Sequence, residues 1–360
     1  MSENNPKTAA LWSPSQSQIQ ATALHRFTQA AQAHKSKPLK ASDYQSLWQW
    51  SIDEKESFWD LVWDFCGVIG DKRERIFQDA EHLMQTQWFP DAQLNYAENL
   101  LAHAQRHPSD TAIVFWGEDQ VKQRITNEQL LESVGKCQSA LRQSGVNQGD
   151  RVAAYLPNSP YAMVAMLASA SLGAVWSSAS PDFGVEGVVD RFGQIGAKVL
   201  FCTDGYFYNG KWQDCHTKNR DVINLLDSVQ QVVICPFMDS AHEPTSKYDV
   251  KLLDAYAHCK TNISSWHNYL GSNLQTQGRN LTLEFERVSF SDPLFILFSS
   301  GTTGVPKCIV HGVGGTLLQH LKEHQLHSDV RKGDKLFYFS TCGWMMWNWL
   351  ASGLATGATL

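Results

Sequence analysis

The sequence predicts an α/β protein: a mostly parallel sheet flanked by helices, preceded by a small helical extension. Three observations carry this. From about residue 110 to 235, short apolar runs of strand character alternate with segments of helical period. The connections between them are short and punctuated by glycine, proline and capping residues, which is the pattern of repeated strand–helix–strand units. An apolar run at 294–298 then breaks into a Ser/Gly/Thr loop and resumes as a second apolar stretch at 308–310.

The 360 residues suffice for one large domain or two ordinary ones, and 43% hydrophobic and 11% aromatic residues allow a sizeable core. Thirty-six acidic and 30 basic residues give a net charge of -6. With no strongly basic stretch, nucleic acid is a poor partner. The opening MSENNPKTAA lacks the basic-then-apolar plan of a signal peptide. The longest apolar segment, 163–176, is broken by Ser169, Ser171 and Gly173. It falls short of the roughly 20 apolar residues of a membrane span, so a cytoplasmic protein is expected. The 8 cysteines include no C-x-x-C pair, which points to buried thiols rather than zinc or redox chemistry.

Residues 1–40 are polar and unpatterned and read as a flexible arm with room for one short helix. The segment 41–105 reads as a helical extension. Phe58, Trp59, Val62, Trp63 and Cys66 recur three and four apart, with Gly67 or Gly70 as a stop. Trp88-Phe89-Pro90 looks like an anchor, and Leu94, Ala97, Leu100 and Leu101 suggest the helix that introduces the main domain, 106–360. There, 112–116 is a strand. Thr126 and Gln129 form a capping box ahead of a helix with Leu130, Val134, Cys137 and Leu141 on one face and Gly145 at its end. Strand 151–156 follows. Asn158 or Ser159 then caps a helix with Pro160 at its first position, and that helix is apolar nearly all round. Strands 174–176, 198–202 and 231–235 and helices 184–195 and 221–228 complete the series. Residues 236–290 are polar and read as an outer excursion with a short helix near 252–258. Beyond the loop, 315–325 reads as helix, 335–340 as strand and 344–354 as helix.

The chemistry concentrates at residues 299–307, SSGTTGVPK. Hydroxyls of Ser299, Ser300, Thr302 and Thr303, amides freed by Gly301 and Gly304, and the charge of Lys307 make a phosphate cradle. A Walker A loop needs two glycines separated by four residues and a following helix. Here the spacing is two residues, Pro306 intervenes, and Lys307 leads into a strand-like run. The loop is therefore expected to join two strands, with a plain Ser/Thr/Gly turn as the alternative.

SSGTTGVPK resembles the phosphate-binding signature of the adenylate-forming enzymes, the acyl-CoA synthetases and their relatives. Residues 145–183 resemble the first conserved block of the short-chain acyl-CoA synthetases, and TCGWMMW at 341–347 resembles their Gly-Trp element beside the acyl pocket. Three stretches, 11–15, 88–101 and 180–195, are most similar to the acetoacetate–CoA ligase branch. The resemblance implies that 106–360 is the large AMP-binding domain of that family, continued beyond residue 360. It implies ATP, Mg2+ and coenzyme A, acetoacetate as substrate, and ligation through an acyl-adenylate. Acetate, propionate or another short acid is the alternative, as is a non-catalytic nucleotide-binding remnant. Ser299, Ser300, Gly301, Thr302, Thr303, Gly304 and Lys307 would hold the ATP phosphates, with Lys307 the catalytic charge. Gly343 and Trp344 would line the acyl pocket, with a plain core role for Trp344 as the alternative. Lys211, in a loop where relatives carry several basic residues and this chain has one, and Arg191 on the preceding helix are candidates for coenzyme A; both read equally as surface charges. His311 reads as structural. Elements for adenine, ribose and magnesium, and a C-terminal catalytic lysine, would lie past Leu360. A truncated gene, a split gene or a fragment with a missing C-terminal half as partner is therefore expected, inactive alone.

Overall fold

The computed structural model describes residues 11–33, 44–238, 250–252, 254–271, 283–299 and 304–360. The N-terminal segment carries α1 (Gln16–Ala21), α2 (Ala23–Ala33), α3 (Tyr44–Asp53) and α4 (Lys55–Phe65), and α5 (Tyr96–Arg106) leads into the main body. A hairpin of β1 (Thr111–Gly117) and β2 (Val121–Thr126) precedes α6 (Asn127–Gln143). Then come β3 (Arg151–Tyr155), α7 (Pro160–Ser171), β4 (Val175–Ala179), α8 (Val185–Ile195) and β5 (Val199–Thr203). A small hairpin, β6 (Gly205–Tyr208) and β7 (Lys211–Asp214), leads to α9 (His216–Leu225), β8 (Gln231–Cys235), β9 (Asn262–Ser265) and α10 (Trp266–Gly271). Last are β10 (Pro293–Ser299), β11 (Lys307–Gly312), α11 (Val313–Lys322) and α12 (Met345–Ser352).

Seven strands form one sheet in the order β9-β8-β5-β3-β4-β10-β11. All neighbours are parallel except β10 and β11, which pair antiparallel at one edge. The expected parallel α/β sheet is what the structure shows. Alternation along each strand feeds two cores. Val152, Ala154, Phe201, Val233 and Phe295 face a core shared with α5, α6, α7, α11 and α12. Ala153, Tyr155, Leu200, Cys202, Val232 and Ile296 face a second core closed by Val188, Phe192 and Ile195 of α8 and Val222 and Ile223 of α9.

Local signals translate directly. Thr126 Oγ1 accepts from the Gln129 amide while the Gln129 side chain returns to the Thr126 amide, closing the capping box. Eleven of the 12 residues of α7, Met163, Met166 and Leu167 among them, are buried; Tyr161 is the exception. Ser159 stands at the N-cap, although its hydroxyl makes no capping bond. Phe89 is fully buried between Trp63 and Phe290, as an anchor should be.

Four expectations are corrected. The described part of the arm is not loose: α2 buries Phe27 and Ala31 completely, and Phe27 meets Phe58 and Phe65 of α4 edge-on. Strand 112–116 belongs to a separate antiparallel hairpin, because its neighbour β2 pairs locally across a short turn. Residues 262–265, placed in an outer excursion, form the edge strand β9, held parallel to β8 by backbone bonds that polar Asn-Ile-Ser-Ser side chains do not advertise. Residues 335–340 are not a strand. Only Lys335 bridges, to Thr359, and Phe337 and Phe339 stand 81% and 91% exposed. An apolar run alone does not make a strand without a partner edge.

Candidate functional site at the carboxyl edge of the sheet

In open α/β sheets, ligands gather beyond the carboxyl ends of the parallel strands. Three segments converge there. The first is the mouth of the β10–β11 hairpin, where Ser299 and Lys307 are paired in register. The expected strand–loop–strand arrangement is therefore present. Lys307 is exposed, and Gly304, at φ +104, adopts a conformation open to glycine, with free space where a Cβ would stand. Ser300, Gly301, Thr302 and Thr303 lie outside the described residues. The exit limb of the loop is braced from α8: Gln194 Nε2 donates to the Pro306 carbonyl at 2.9 Å. No sequence signal pointed to Gln194, because the contact joins residues more than a hundred positions apart.

The second segment is the end of β4. Ser180 Oγ donates to Asp182 at 2.8 Å, and Tyr206 Oη donates to the same carboxylate at 2.8 Å. Burial and the adjoining Asp182 raise the Tyr206 hydroxyl above the ordinary phenol value. The third is residues 341–344. Cys342 Sγ contacts the Leu156 carbonyl, and Ser178 Oγ donates to the Cys342 carbonyl at 2.5 Å. These bonds press Gly343 against β4, so that a Cβ there would lie 3.4 Å from the Ser180 nitrogen and 3.5 Å from the Ala179 Cα. A Cβ at 343 would thus touch the end of β4 in ordinary van der Waals contact.

Behind this edge lies a cavity of about 580 Å³ lined by His311, Gly312, Gly315, Thr316, Gln319, His320, Glu323, Met345, Met346 and Trp349. Period-two alternation sets Lys307, Ile309 and His311 on one face of β11, about 13 Å from first to last. That face leads from the hairpin mouth to the cavity. Trp344 itself is 59% exposed at the start of α12 and does not line the cavity. Met345, Met346 and Trp349, one to five positions on, supply the apolar wall of this cavity. The helical spacing of 345, 346 and 349 was the available signal.

The cavity's titratable groups are mostly neutralised or paired. His311 lines the cavity, and burial lowers it below the ordinary imidazole value. Burial, with His324 and His311 adding, pushes His320 down to about 3. Burial works to raise Glu323, but Lys322, 2.9 Å away, outweighs it and holds the carboxyl below its usual range.

The two candidates for coenzyme A sit apart in character. Lys211 is exposed at the start of β7. Arg191 stacks its guanidinium 4.2 Å above the Phe183 ring and donates to the Gly187 carbonyl, so it is tied to its own helix and to the β4 loop. Among the described residues no group of three or more His, Cys, Asp and Glu side chains could hold a metal. No helix of the described residues is long and apolar enough to cross a membrane. Of the cysteines, Cys137, Cys202, Cys215, Cys235 and Cys342 are buried and Cys308 is exposed.

Comparison with known proteins fits this geometry. Residues 100–360 match the family described as AMP-binding enzyme, and residues 44–100 match the acetyl-coenzyme A synthetase N-terminus. The acetoacetyl-coenzyme A synthetase of Rhizobium meliloti is 49% identical over 319 residues, 89% of this chain and 46% of that protein. The rat acetoacetyl-CoA synthetase is 42% identical over 324 residues, 89% of this chain and 46% of its own length. A malonamoyl-CoA synthetase of Penicillium aethiopicum is 42% identical over 322 residues, 88% of this chain and 43% of its own. The solved acetoacetyl-CoA synthetase from Streptomyces lividans superposes with a TM-score of 0.85 at 36% identity, over 97% of this chain and 50% of that one. The chain spans about half the length of the relatives it matches.

Proposed function

The chain belongs to the AMP-binding enzymes, as a homologue of the acetoacetyl-CoA synthetases, and on that premise we propose that it carries the triphosphate and acid sites of an AMP-forming acid–thiol ligase for acetoacetate. The observation that carries this reading is one line of residues. Ser299 and Lys307 pair across the hairpin mouth, and the strand face that begins at Lys307 ends at the cavity of His311.

In the first half-reaction a carboxylate oxygen of the acid attacks the α-phosphorus of ATP. The bond from that phosphorus to the bridging oxygen breaks, and pyrophosphate leaves with the electron pair. In the second, the coenzyme A thiolate attacks the acyl carbon and AMP departs. In-line displacement needs positioning and charge neutralisation more than covalent help from protein. Residues 299–304 and Lys307 serve that end by holding the β- and γ-phosphates, with Gln194 fixing the Pro306 limb. The cavity takes the acyl chain and keeps water from the mixed anhydride, with Gly343 packed against the end of β4. Lys211 and Arg191 are the candidates for the phosphates of coenzyme A, of which Lys211 is the more exposed. Mg2+ enters this reading with ATP.

The acid is read from chemistry the related enzymes share. Acetoacetyl and malonamoyl groups both carry a second carbonyl two carbons from the thioester. The test is ATP–pyrophosphate exchange with this chain joined to the C-terminal half of the Rhizobium relative, across acetoacetate, acetate, propionate and butyrate. Exchange fastest with acetoacetate supports the assignment. Exchange fastest with acetate overturns the substrate, and none with any acid overturns the ligase.

A further inference from the structure

Thr359 and Leu360 lie between two walls. Thr359 bridges in parallel to Lys335: its amide donates to the Asp334 carbonyl and its carbonyl accepts from the Leu336 amide, both at 2.8 Å. Leu360 turns its groups the other way, to β1. Its amide donates to the Ala112 carbonyl at 2.9 Å, and its carbonyl accepts from the Val114 amide at 2.8 Å. Alternate residues bonded to opposite neighbours are the pattern of a strand inside a sheet. The gap between 335–336 and β1 is therefore one strand wide here.

Both walls run on past Leu360. On one, Val114 faces away from β2, as its bond to Leu360 shows. Alternation turns the Trp116 amide and the Val114 and Trp116 carbonyls the same way. On the other, the Tyr338 and Ser340 amides and the Leu336 and Tyr338 carbonyls have no backbone partner among the described residues. Between the walls lies a cavity of about 560 Å³, with Phe115 and Trp116 on one side, Phe337, Tyr338 and Phe339 on the other, and Leu360 also lining it. Trp116, Phe337 and Phe339 are 67%, 81% and 91% exposed, and apolar surface gathered in this way marks an interface. Residues 336–340, Leu-Phe-Tyr-Phe-Ser, have the aromatic composition of a strand and lack only an edge to pair with.

We propose that this slot is the seat of one β-strand, supplied by the residues that directly follow Leu360 in a chain that continues as its relatives do. Those relatives are about twice as long as the span they share with this chain. Direction and register fix the occupant. Continued parallel to β1, the first residue after Leu360 bonds to Leu336 and Tyr338, and the second to Val114 and Trp116. The added strand joins 336–340 to the β1–β2 hairpin in one sheet and satisfies both open edges.

Hydrogen exchange read at single amides by mass spectrometry tests this in the 360-residue chain and in the chain joined to the C-terminal half of the Rhizobium relative. The Trp116, Tyr338 and Ser340 amides are expected to exchange freely in the first and at least about a hundredfold more slowly in the second. Proline at the second position after Leu360 removes the donor to the Val114 carbonyl and should restore fast exchange at Trp116. A synthetic peptide of about eight residues, matching the relative beyond Leu360, should slow the same amides when added to the 360-residue chain, and its proline form should not. The peptide keeps the test independent of how the joined protein folds. Protection in either form that proline abolishes supports the strand. Fast exchange in both forms overturns the slot. Protection already present in the 360-residue chain, or protection that proline leaves intact, overturns the occupant, because another segment or a second copy then fills the gap.

Discussion

The hairpin edge and the cavity wall lie on one face of one sheet, yet they expose their chemistry in opposite ways. At the edge, Lys307 is solvated, and Val305, Ile309 and Val310 are 58%, 45% and 54% exposed. Little of the fold's stability rests there. In the cavity wall, α11 and α12 bury their polar groups among fully enclosed side chains such as Trp347 and Leu317. An edge strand held by one neighbour can reposition around a large anion without disturbing the core. A buried imidazole is held in place by its packing.

That contrast can be broken by mutation. The largest effect is expected from Trp347→Ala. It deletes a fully buried ring whose Nε1 donates to Asn158 at 2.9 Å. The cost is about 3–5 kcal/mol, read as a lower urea midpoint. Ile309→Ala at the edge should cost under about 0.5 kcal/mol. Comparable costs for the two would show that the edge is as structural as the wall.

Lys307→Ala should leave the urea midpoint unmoved and lower ATP–pyrophosphate exchange about a hundredfold in the chain joined to a relative's C-terminal half. Exchange at the original rate would remove Lys307 from the phosphate site.

The wall predicts a pH dependence that the edge does not. His320 and His324, pushed down to about 3 and about 4, stay neutral in the fold while the unfolded chain binds protons below its imidazole value of about 6.5. The unfolded state then holds more protons, so stability falls as pH drops from about 6.5 toward 4. Going from pH 7 to 5 should cost up to about 2 kcal/mol per histidine. His320→Leu should flatten that slope, and an unchanged slope would contradict the neutral state of His320.

The smallest effect is expected from Gln194→Ala, which frees the Pro306 carbonyl. Nucleotide affinity, by isothermal titration, should weaken about fivefold, the worth of one hydrogen bond. No change would show that the loop needs no brace from α8.

What was legible in the sequence is what is local or strongly apolar. The Thr126–Gln129 capping box closes within three residues, and α7 announces itself by an unbroken apolar surface. The loop at 299–307 could be placed between two strands because apolar runs flank it. Of the labelled strands that escaped notice, β2, β7 and β9 carry largely polar side chains, and β6 is a four-residue aromatic run; all exist through backbone pairing with distant or turn-linked partners, which side-chain patterning does not encode. The apolar run at 335–340 misled for the converse reason. In the site, the position of Gly343 was readable as a motif. The brace from Gln194 and the burial of His320 depend on tertiary contacts. Only the four-residue spacing of His320 and His324 hinted that they share a helix face.

In the proposed ligation the acid's own oxygen attacks the α-phosphorus. The most direct measurement is isotope transfer from acetoacetate labelled with 18O in its carboxyl group, with ATP, coenzyme A and the chain joined to the C-terminal half of the Rhizobium relative. One labelled oxygen is predicted to appear in AMP by mass spectrometry. Label in orthophosphate, with unlabelled AMP or with ADP as the product, would contradict the account.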